Sequence, residues 1–202
     1  MIAYPRNDIT GVILAGGRAR RMGGQDKGLV ELDGRPMIEY ALEIVRVQTG
    51  ALVINANRNL DDYARYGYPV VSDNLSDFQG PLAGIASCMM RIKTPYLLTA
   101  PCDSPLLPGD LGPRLHQALV REQADIAVAH SGERMQPVFS LLKQELIASL
   151  LDFLKAGERK MDRWYARHRT ALADFADCPD TFLNVNTPQE CATLAERLRR
   201  ES

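Results

Sequence analysis

The sequence has almost no net charge: 24 lysines and arginines against 25 aspartates and glutamates leave −1 at neutral pH. A surface without a dominant sign exerts no global pull on nucleic acid or on an anionic membrane, so any anion has to be held by a local cluster. No apolar run approaches the ~20 residues needed to cross a bilayer. Pro5, Arg6 and Asp8 interrupt the stretch in which a secretory signal needs continuous apolar residues. Cys88, Cys102, Cys178 and Cys191 form no C-x-x-C pair, and His116, His130 and His168 lie far from them. This pattern predicts reduced thiols in a cytoplasmic protein and no structural zinc. There is also no low-complexity stretch, no internal repeat and no linker rich in Gly, Pro or Ser. A chain of this length can bury a core of its own, and its 46% hydrophobic content is ordinary for a globular protein. The expectation is one domain over residues 1–202.

What is present is an alternation. From Thr10 onward, short apolar runs at 11–15 (GVILA), 51–56 (ALVINA), 69–72 (PVVS), 96–100 (YLLTA) and 125–130 (DIAVAH) read as buried strands. Between them Met37, Ile38, Ala41, Leu42 and Val45 recur at helical spacing after Pro36, which suits a helix start. Further helices are predicted over 81–92, 111–121 and 188–199. The pattern is that of an α/β protein, a mainly parallel sheet with helices on both faces. Residues 132–180 depart from it, with an apolar run at 137–142 (PVFSLL), a predicted helix over 143–155 and a basic patch at 157–169 (GERKMDRWYARHR). Extra structure at that end of the sheet is where an acceptor site could be built.

The strongest local signal is the segment LAGGRARRMGGQDKGL, residues 14–29. It begins where the first predicted strand ends, on the side of an open α/β sheet where ligands bind. Gly16, Gly17, Gly23 and Gly24 let backbone N–H groups approach phosphate oxygens, and Arg18, Arg20, Arg21 and Lys27 concentrate positive charge. Two familiar phosphate loops are missing. Lys27 is flanked by Asp26 and Gly28 where a Walker loop needs Gly-Lys-Ser/Thr, and no G-x-G-x-x-G dinucleotide pattern is present.

A second signal follows the run YLLTA. Asp103, in APCDSP, is placed at the carboxyl edge of its strand, facing the same crevice. A carboxylate there suits Mg²⁺, which takes one or two carboxylates together with substrate phosphates and water. An aspartate before Ser-Pro also serves as a turn or helix cap, and the pairing with the glycine-rich loop favours the metal reading. Trp164 and Tyr165, beside Arg163 and Arg167, read as packing rather than as a stacking platform, Met89 and Met90 as core filler, and His116 and His168 as satisfied or surface residues.

The two motifs together, LAGG-x-x-x-RMGG-x-DKGL and APCDSP, resemble the molybdenum cofactor guanylyltransferase family, often called MobA. The likeness continues through VINAN (53–57), VSDN (71–74), GPLAG (80–84) and NVNTP (184–188), in the family's order over nearly the whole chain. The resemblance implies a Rossmann-like nucleotidyltransferase fold and transfer of GMP from GTP to the phosphate of molybdopterin, with release of pyrophosphate. It further implies that Leu14, Ala15, Gly16 and Gly17 line the nucleotide site, that Arg21 and Lys27 grip the phosphates, that Asn55 and Asp73 help hold the nucleoside, and that Asp103 binds Mg²⁺. Asn184 and Asn186, with Arg159, Lys160 and Arg163, would lie toward the acceptor. Residues 8–130 would then be the nucleotide-binding part and 131–202 the acceptor-binding part. Contacts with cofactor-delivery proteins and molybdoenzyme chaperones are implied by the family alone.

In such a reaction the protein's task is positioning and charge neutralisation, so no Ser-His-Asp or Cys-His set is needed. The residues by themselves would equally serve a cytidylyl- or uridylyltransferase acting on a pterin or sugar phosphate. A non-catalytic nucleotide-binding partner in cofactor assembly is disfavoured by the presence of both Lys27 and Asp103.

Overall fold

The computed structural model describes residues 3–16, 26–73 and 80–201; the expectations for Gly17, Arg18, Arg20, Arg21, Gly23, Gly24 and Asn74 lie outside the described residues. In chain order the elements are β1 (Ile9–Leu14), β2 (Glu31–Leu32), β3 (Arg35–Pro36), α1 (Met37–Gln48), β4 (Ala51–Asn55), α2 (Leu60–Ala64), β5 (Val70–Val71), α3 (Pro81–Met89), β6 (Tyr96–Pro101), α4 (Leu111–Arg121), β7 (Ile126–His130), β8 (Met135–Lys143), α5 (Ile147–Lys155), α6 (Met161–Tyr165), β9 (Thr170–Asp174) and α7 (Pro188–Glu201). Seven strands form one sheet in the order β5-β4-β1-β6-β8-β7-β9, and β2 pairs with β3 in a small hairpin. Within the seven-stranded sheet all the neighbouring pairs are parallel except those made by β8, which runs antiparallel to β6 and to β7.

β1 is apolar except at Thr10 and buried at its first five positions, as expected of a strand covered on both faces. Its side chains alternate between two cores. Ile9 and Ile13 join α1 and α4 through Ile38, Ala41, Val45, Leu111 and Leu115. Val12 points the other way, to a core with Leu82, Ile85, Leu150, Phe153, Trp164 and Tyr165 from α3, α5 and α6. Gly11 is the close-approach point, since a Cβ there would stand 2.5 Å from Val45 Cγ1 of α1. A third, small core joins α7 to the hairpin through Leu32, Met37, Val185, Cys191 and Leu194.

The departures from expectation lie in the second half. Lys143 does not open a helix: it ends β8, opposite Tyr96, with its Nζ 2.9 Å from Asp125 Oδ1, and α5 starts four residues later. The run PVFSLL is therefore a strand. β9 was not foreseen, because only Ala171 and Ala173 mark its buried face and two alanines give a weak period-two signal. Trp164 and Tyr165 are fully or almost fully buried, as packing residues should be.

β8 also carries a large bulge. Val128 pairs with Ser140 but the next residue, Ala129, pairs with Gln136 rather than Phe139, so residues 137–139 are extra. A bulge leaves carbonyls without ladder partners, and buried hydroxyls satisfy them here. Tyr165 Oη donates to the Pro137 carbonyl at 2.7 Å, and Thr99 Oγ1 donates to the Val138 carbonyl at 2.6 Å. Ser140 Oγ lies 2.9 Å from Thr99 Oγ1 and 3.1 Å from Tyr165 Oη, joining the two. Tyr165→Phe should keep the packing and strand the Pro137 carbonyl, costing about 1–3 kcal/mol of stability in urea unfolding; an unchanged midpoint would show that the bulge does not depend on this bond.

Candidate functional site

The register of the sheet decides where the site is. Leu14 lies opposite Asn55 on one side and Pro101 on the other, so β1, β4 and β6 end level with one another. The segments that leave them are stitched by backbone bonds from Ala15 N to the Asn55 carbonyl (2.8 Å), from Ala56 N to the Val71 carbonyl (3.1 Å) and from Cys102 N to the Leu14 carbonyl (3.1 Å). Two polar clusters are built on this edge.

The first gathers Asn55, Asn57 and Asp73. Asn55 Nδ2 donates to the Val71 carbonyl and to Asp73 Oδ1, both at 2.9 Å. Asn57 Nδ2 donates to Asp73 Oδ2 at 2.8 Å, and Asp73 N donates back to Asn57 Oδ1 at 2.8 Å. Two glycines make room. A Cβ on Gly16 would come within 3.0 Å of Asn57 Nδ2 and 3.4 Å of Asn55 Oδ1, and a Cβ on Gly84 would overlap Asn55 Oδ1 outright. The GPLAG segment thus presses α3 onto the Asn55 amide. Asn57 is the residue that sequence reasoning passed over, although it stands in the quoted VINAN motif.

The second cluster is centred on Lys27. Its Nζ donates to Asp103 Oδ2 and to Asn186 Oδ1, both at 2.7 Å. The ion pair is largely shielded, with 22% of the Lys27 side chain and 12% of the Asp103 side chain exposed. NVNTP is zipped alongside: Val185 N donates to the Asp103 carbonyl at 2.9 Å, and Ser104 Oγ donates to Asn184 Oδ1. Thr187 and Glu190 form a capping box at the start of α7, Glu190 N bonding Thr187 Oγ1 (3.2 Å) and Thr187 N bonding Glu190 Oε2 (3.0 Å). Glu190 Oε2 also accepts from Asn186 N at 2.6 Å, so the cap of the last helix holds the asparagine that meets Lys27.

Beneath Lys27 its neighbour Asp26 is buried, accepting from Tyr63 Oη at 2.5 Å and Asn59 Nδ2 at 3.1 Å, with Arg58 Nε 3.3 Å away. Burial, reinforced by Cys102 and Asp26, pushes the Tyr63 hydroxyl far above its ordinary pKa, so it remains a donor. The Cys102 thiol is likewise raised by burial, with Asp103 and Asp26 adding to the rise and Lys27 opposing it. Cys88 is pushed up to about 12, mainly by burial. Neither thiol is a nucleophile at neutral pH.

Of the residues expected at the site, Leu14, Ala15, Gly16, Lys27, Asn55, Asp73, Asp103, Asn184 and Asn186 fall on this edge; Gly17 and Arg21 lie outside the described residues. The basic patch sits at the end of α5 and on α6. Arg159 Nη1 donates to the Leu154 and Glu158 carbonyls at 2.8 and 2.6 Å, and Arg163 Nη1 is 3.2 Å from Glu158 Oε2. His116 is buried edge-on between Tyr4 and Tyr96, and His168 bonds Ser149 Oγ at 2.9 Å. Among the described residues no group of three or more His, Cys, Asp and Glu side chains could cage a metal, and no helix is long and apolar enough to cross a membrane.

The description of the family model that matches residues 11–172 is "MobA-like NTP transferase domain". The chain belongs to that family. A molybdenum cofactor guanylyltransferase of Shewanella sediminis (strain HAW-EB3) is 53% identical over 192 residues, covering 95% of this chain and 98% of the relative. Another, of Shewanella sp. (strain MR-4), is equally similar, 53% over 192 residues with the same coverage. Among solved structures, molybdopterin-guanine dinucleotide biosynthesis protein A from Archaeoglobus fulgidus superposes with a TM-score of 0.78 at 20% identity, over 96% of this chain and 100% of that one. At that identity the likeness speaks for the fold, and the nucleotidyltransferase α/β architecture expected from the sequence is the one found. The resemblance seen in the motifs is likewise upheld.

The close contact behind Asn55 can be tested without any ligand. Gly84→Ala should force the Asn55 amide off Val71 and Asp73 and destabilise the protein by about 1–3 kcal/mol, as overpacking does, with circular dichroism unchanged at room temperature. A variant as stable as the parent would mean that Asn55 yields without loss.

Proposed function

We propose that this protein transfers GMP from GTP to the phosphate of molybdopterin, forming the guanine dinucleotide cofactor and releasing pyrophosphate. Membership of the family and relatives at 53% identity over nearly their whole length support the guanylyltransferase activity. The single geometric observation that carries the chemistry is Lys27 Nζ, 2.7 Å from both Asp103 and Asn186 where β1, β4 and β6 end.

In this reading Leu14, Ala15, Gly16 and Gly17 line the nucleotide, Asn55 and Asp73 orient the nucleoside, and Arg21 and Lys27 hold the phosphates. A phosphate oxygen of the acceptor attacks the α-phosphorus in line as the bond to pyrophosphate breaks. The chain supplies position and charge, as phosphoryl chemistry requires. A phosphate monoester with a second pKa near 6 is already largely a dianion at neutral pH, so no protein base is required. Lys27 stabilises the charge that gathers on the leaving pyrophosphate. Asn184 and Asn186 face the acceptor, and residues 131–202 serve it while 8–130 serve the nucleotide, within one domain. Asp103 fits Mg²⁺: it is a mostly shielded carboxylate at a strand end, with no cage of other metal-ligating side chains around it among the described residues, and an ion that keeps most of its shell for phosphates and water suits that donor set. When bound, Mg²⁺ would neutralise the reacting phosphates. We place the protein in the cytoplasm, working with cofactor-delivery proteins and molybdoenzyme chaperones and with neither nucleic acid nor membrane.

Calorimetry with Mg²⁺, comparing GTP with CTP, UTP and ATP, tests the base: GTP should bind most tightly, and a preference for CTP or UTP would move the assignment to another transferase. In a turnover assay with molybdopterin, Lys27→Ala and Asp103→Ala should each lower kcat by on the order of 10²-fold, the cost of removing one electrostatic stabiliser. Full activity in Asp103→Ala would remove that residue from the metal site.

A further inference from the structure

Bonds to Asp103 and Asn186 fix the tip of the long Lys27 side chain. Something has to fix the backbone from which it springs. The residues on either side of it are both immobilised: Asp26 by side-chain bonds, and Gly28 by a space too small for a Cβ, which would come within 2.6 Å of Tyr63 Oη and 3.3 Å of Cys102 Sγ.

We infer that Asp26 and Tyr63 are positioning residues for Lys27, a buried clamp that aims its ammonium at the reacting phosphates; the inference rests on the role given to Lys27 above. Asp26 meets three residues of one short stretch, two as hydrogen-bond donors and one as an ion-pair partner. Tyr63 Oη meets Oδ1 at 2.5 Å, Asn59 Nδ2 meets Oδ2 at 3.1 Å, and Arg58 Nε stands 3.3 Å from Oδ2. Its carboxylate is 3% exposed, against 12% for that of Asp103, and both its oxygens are taken by protein donors. It is therefore built to hold the chain and not to meet a reagent. A buried ion set rarely adds stability over apolar packing, because desolvation offsets the attraction. What it does add is direction: a hydrogen-bond donor on each oxygen, with the Arg58 guanidinium beside Oδ2, fixes the orientation of the carboxylate. The turn Lys27–Leu29 starts from that anchor, with Leu29 N bonding the Asp26 carbonyl at 3.0 Å. Tyr63 is fully buried in α2, a helix of five residues whose buried side chain is this tyrosine, so the helix serves to deliver its hydroxyl. The motif Asp26-Lys27-Gly28 then reads as anchor, working group and seat.

The test is a double-mutant cycle, since a residue that acts only through Lys27 has nothing left to do once Lys27 is gone. Asp26→Asn and Tyr63→Phe are made alone and in a Lys27→Ala background, and kcat, KM and GTP binding in the presence of Mg²⁺ are measured for each. A misaimed group at a phosphoryl-transfer site costs up to about 10²-fold, so Asp26→Asn alone should lower kcat by about 10- to 100-fold and Tyr63→Phe by less. Both should leave kcat unchanged in the Lys27→Ala background. The same fractional loss in both backgrounds would overturn the inference, as would wild-type kcat in both single variants. Should Asp26→Asn fail to fold, the Tyr63→Phe cycle decides by the same criterion. A wild-type protein that binds GTP but does not turn it over with molybdopterin would overturn the functional reading instead, and the cycle read on binding would still decide the clamp.

Discussion

The ion pair between Lys27 and Asp103 joins chain positions 76 residues apart, and the bond from the same ammonium to Asn186 spans 159. One side chain thus fastens the segment after the first strand, the end of the central strand β6 and the entry to the last helix. Each of these is set by a separate device. β6 is aligned by its ladder to β1, α7 by the Thr187–Glu190 capping box, and Lys27 by the turn that follows Asp26. Were any of the three displaced by an ångström, the ammonium could not reach both partners at hydrogen-bond distance. The pair is mostly shielded from water, and such pairs gain little net stability once desolvation is counted. Its cost is more readily understood as that of a preorganised charge site than as that of a structural staple.

The same edge shows why glycine is needed at particular places. At Gly84 and Gly28 the lack of a Cβ admits a polar group, the Asn55 amide in one case and the Tyr63 hydroxyl in the other. Asn55 and Asp26 are buried polar side chains, and burial is tolerable because each is hydrogen-bonded to neighbours. Small residues and buried polar groups therefore come in pairs here, the first giving room and the second giving direction. The glycine-rich look of the motifs reflects this packing as much as any contact with phosphate.

The first half of the fold was legible because its signals are strong and local. β1, β4 and β6 are continuous apolar runs, α1 has a clean helical period behind Pro36, and the crevice at the strand ends follows from parallel topology. Lys27 and Asp103 were legible as residue types in the right places, and the geometry adds that they touch. The second half resisted for physical reasons. The run 137–142 is apolar on successive residues because it crosses a buried, bulged strand, and periodicity does not separate that from a helix start. β9 hides behind two alanines. Asp26 was hidden in another way, since a carboxylate in a glycine- and arginine-rich loop reads as one more charge, and only its partners, brought from residues 58, 59 and 63, reveal it as an anchor.

The reversal at β8 changes what the carboxyl edge of the sheet can carry. A parallel strand beside β6 would need a crossover before it and would deliver its chain to the far edge of the sheet. An antiparallel β8 instead begins at the carboxyl edge, so the short connection from His130 to Met135 stays on the side where Asp103 lies. The bulge at 137–139 adds residues just there, and Thr99 and Tyr165 satisfy its stray carbonyls from within the core, their hydroxyls joined by that of Ser140. An all-parallel sheet leaves loops of one kind at its edge, whereas this one places a hairpin on the side of Asp103 and holds the adjoining bulge by buried hydroxyls. The extra elements after residue 130 thus add structure at the carboxyl edge without altering the level ends of β1, β4 and β6.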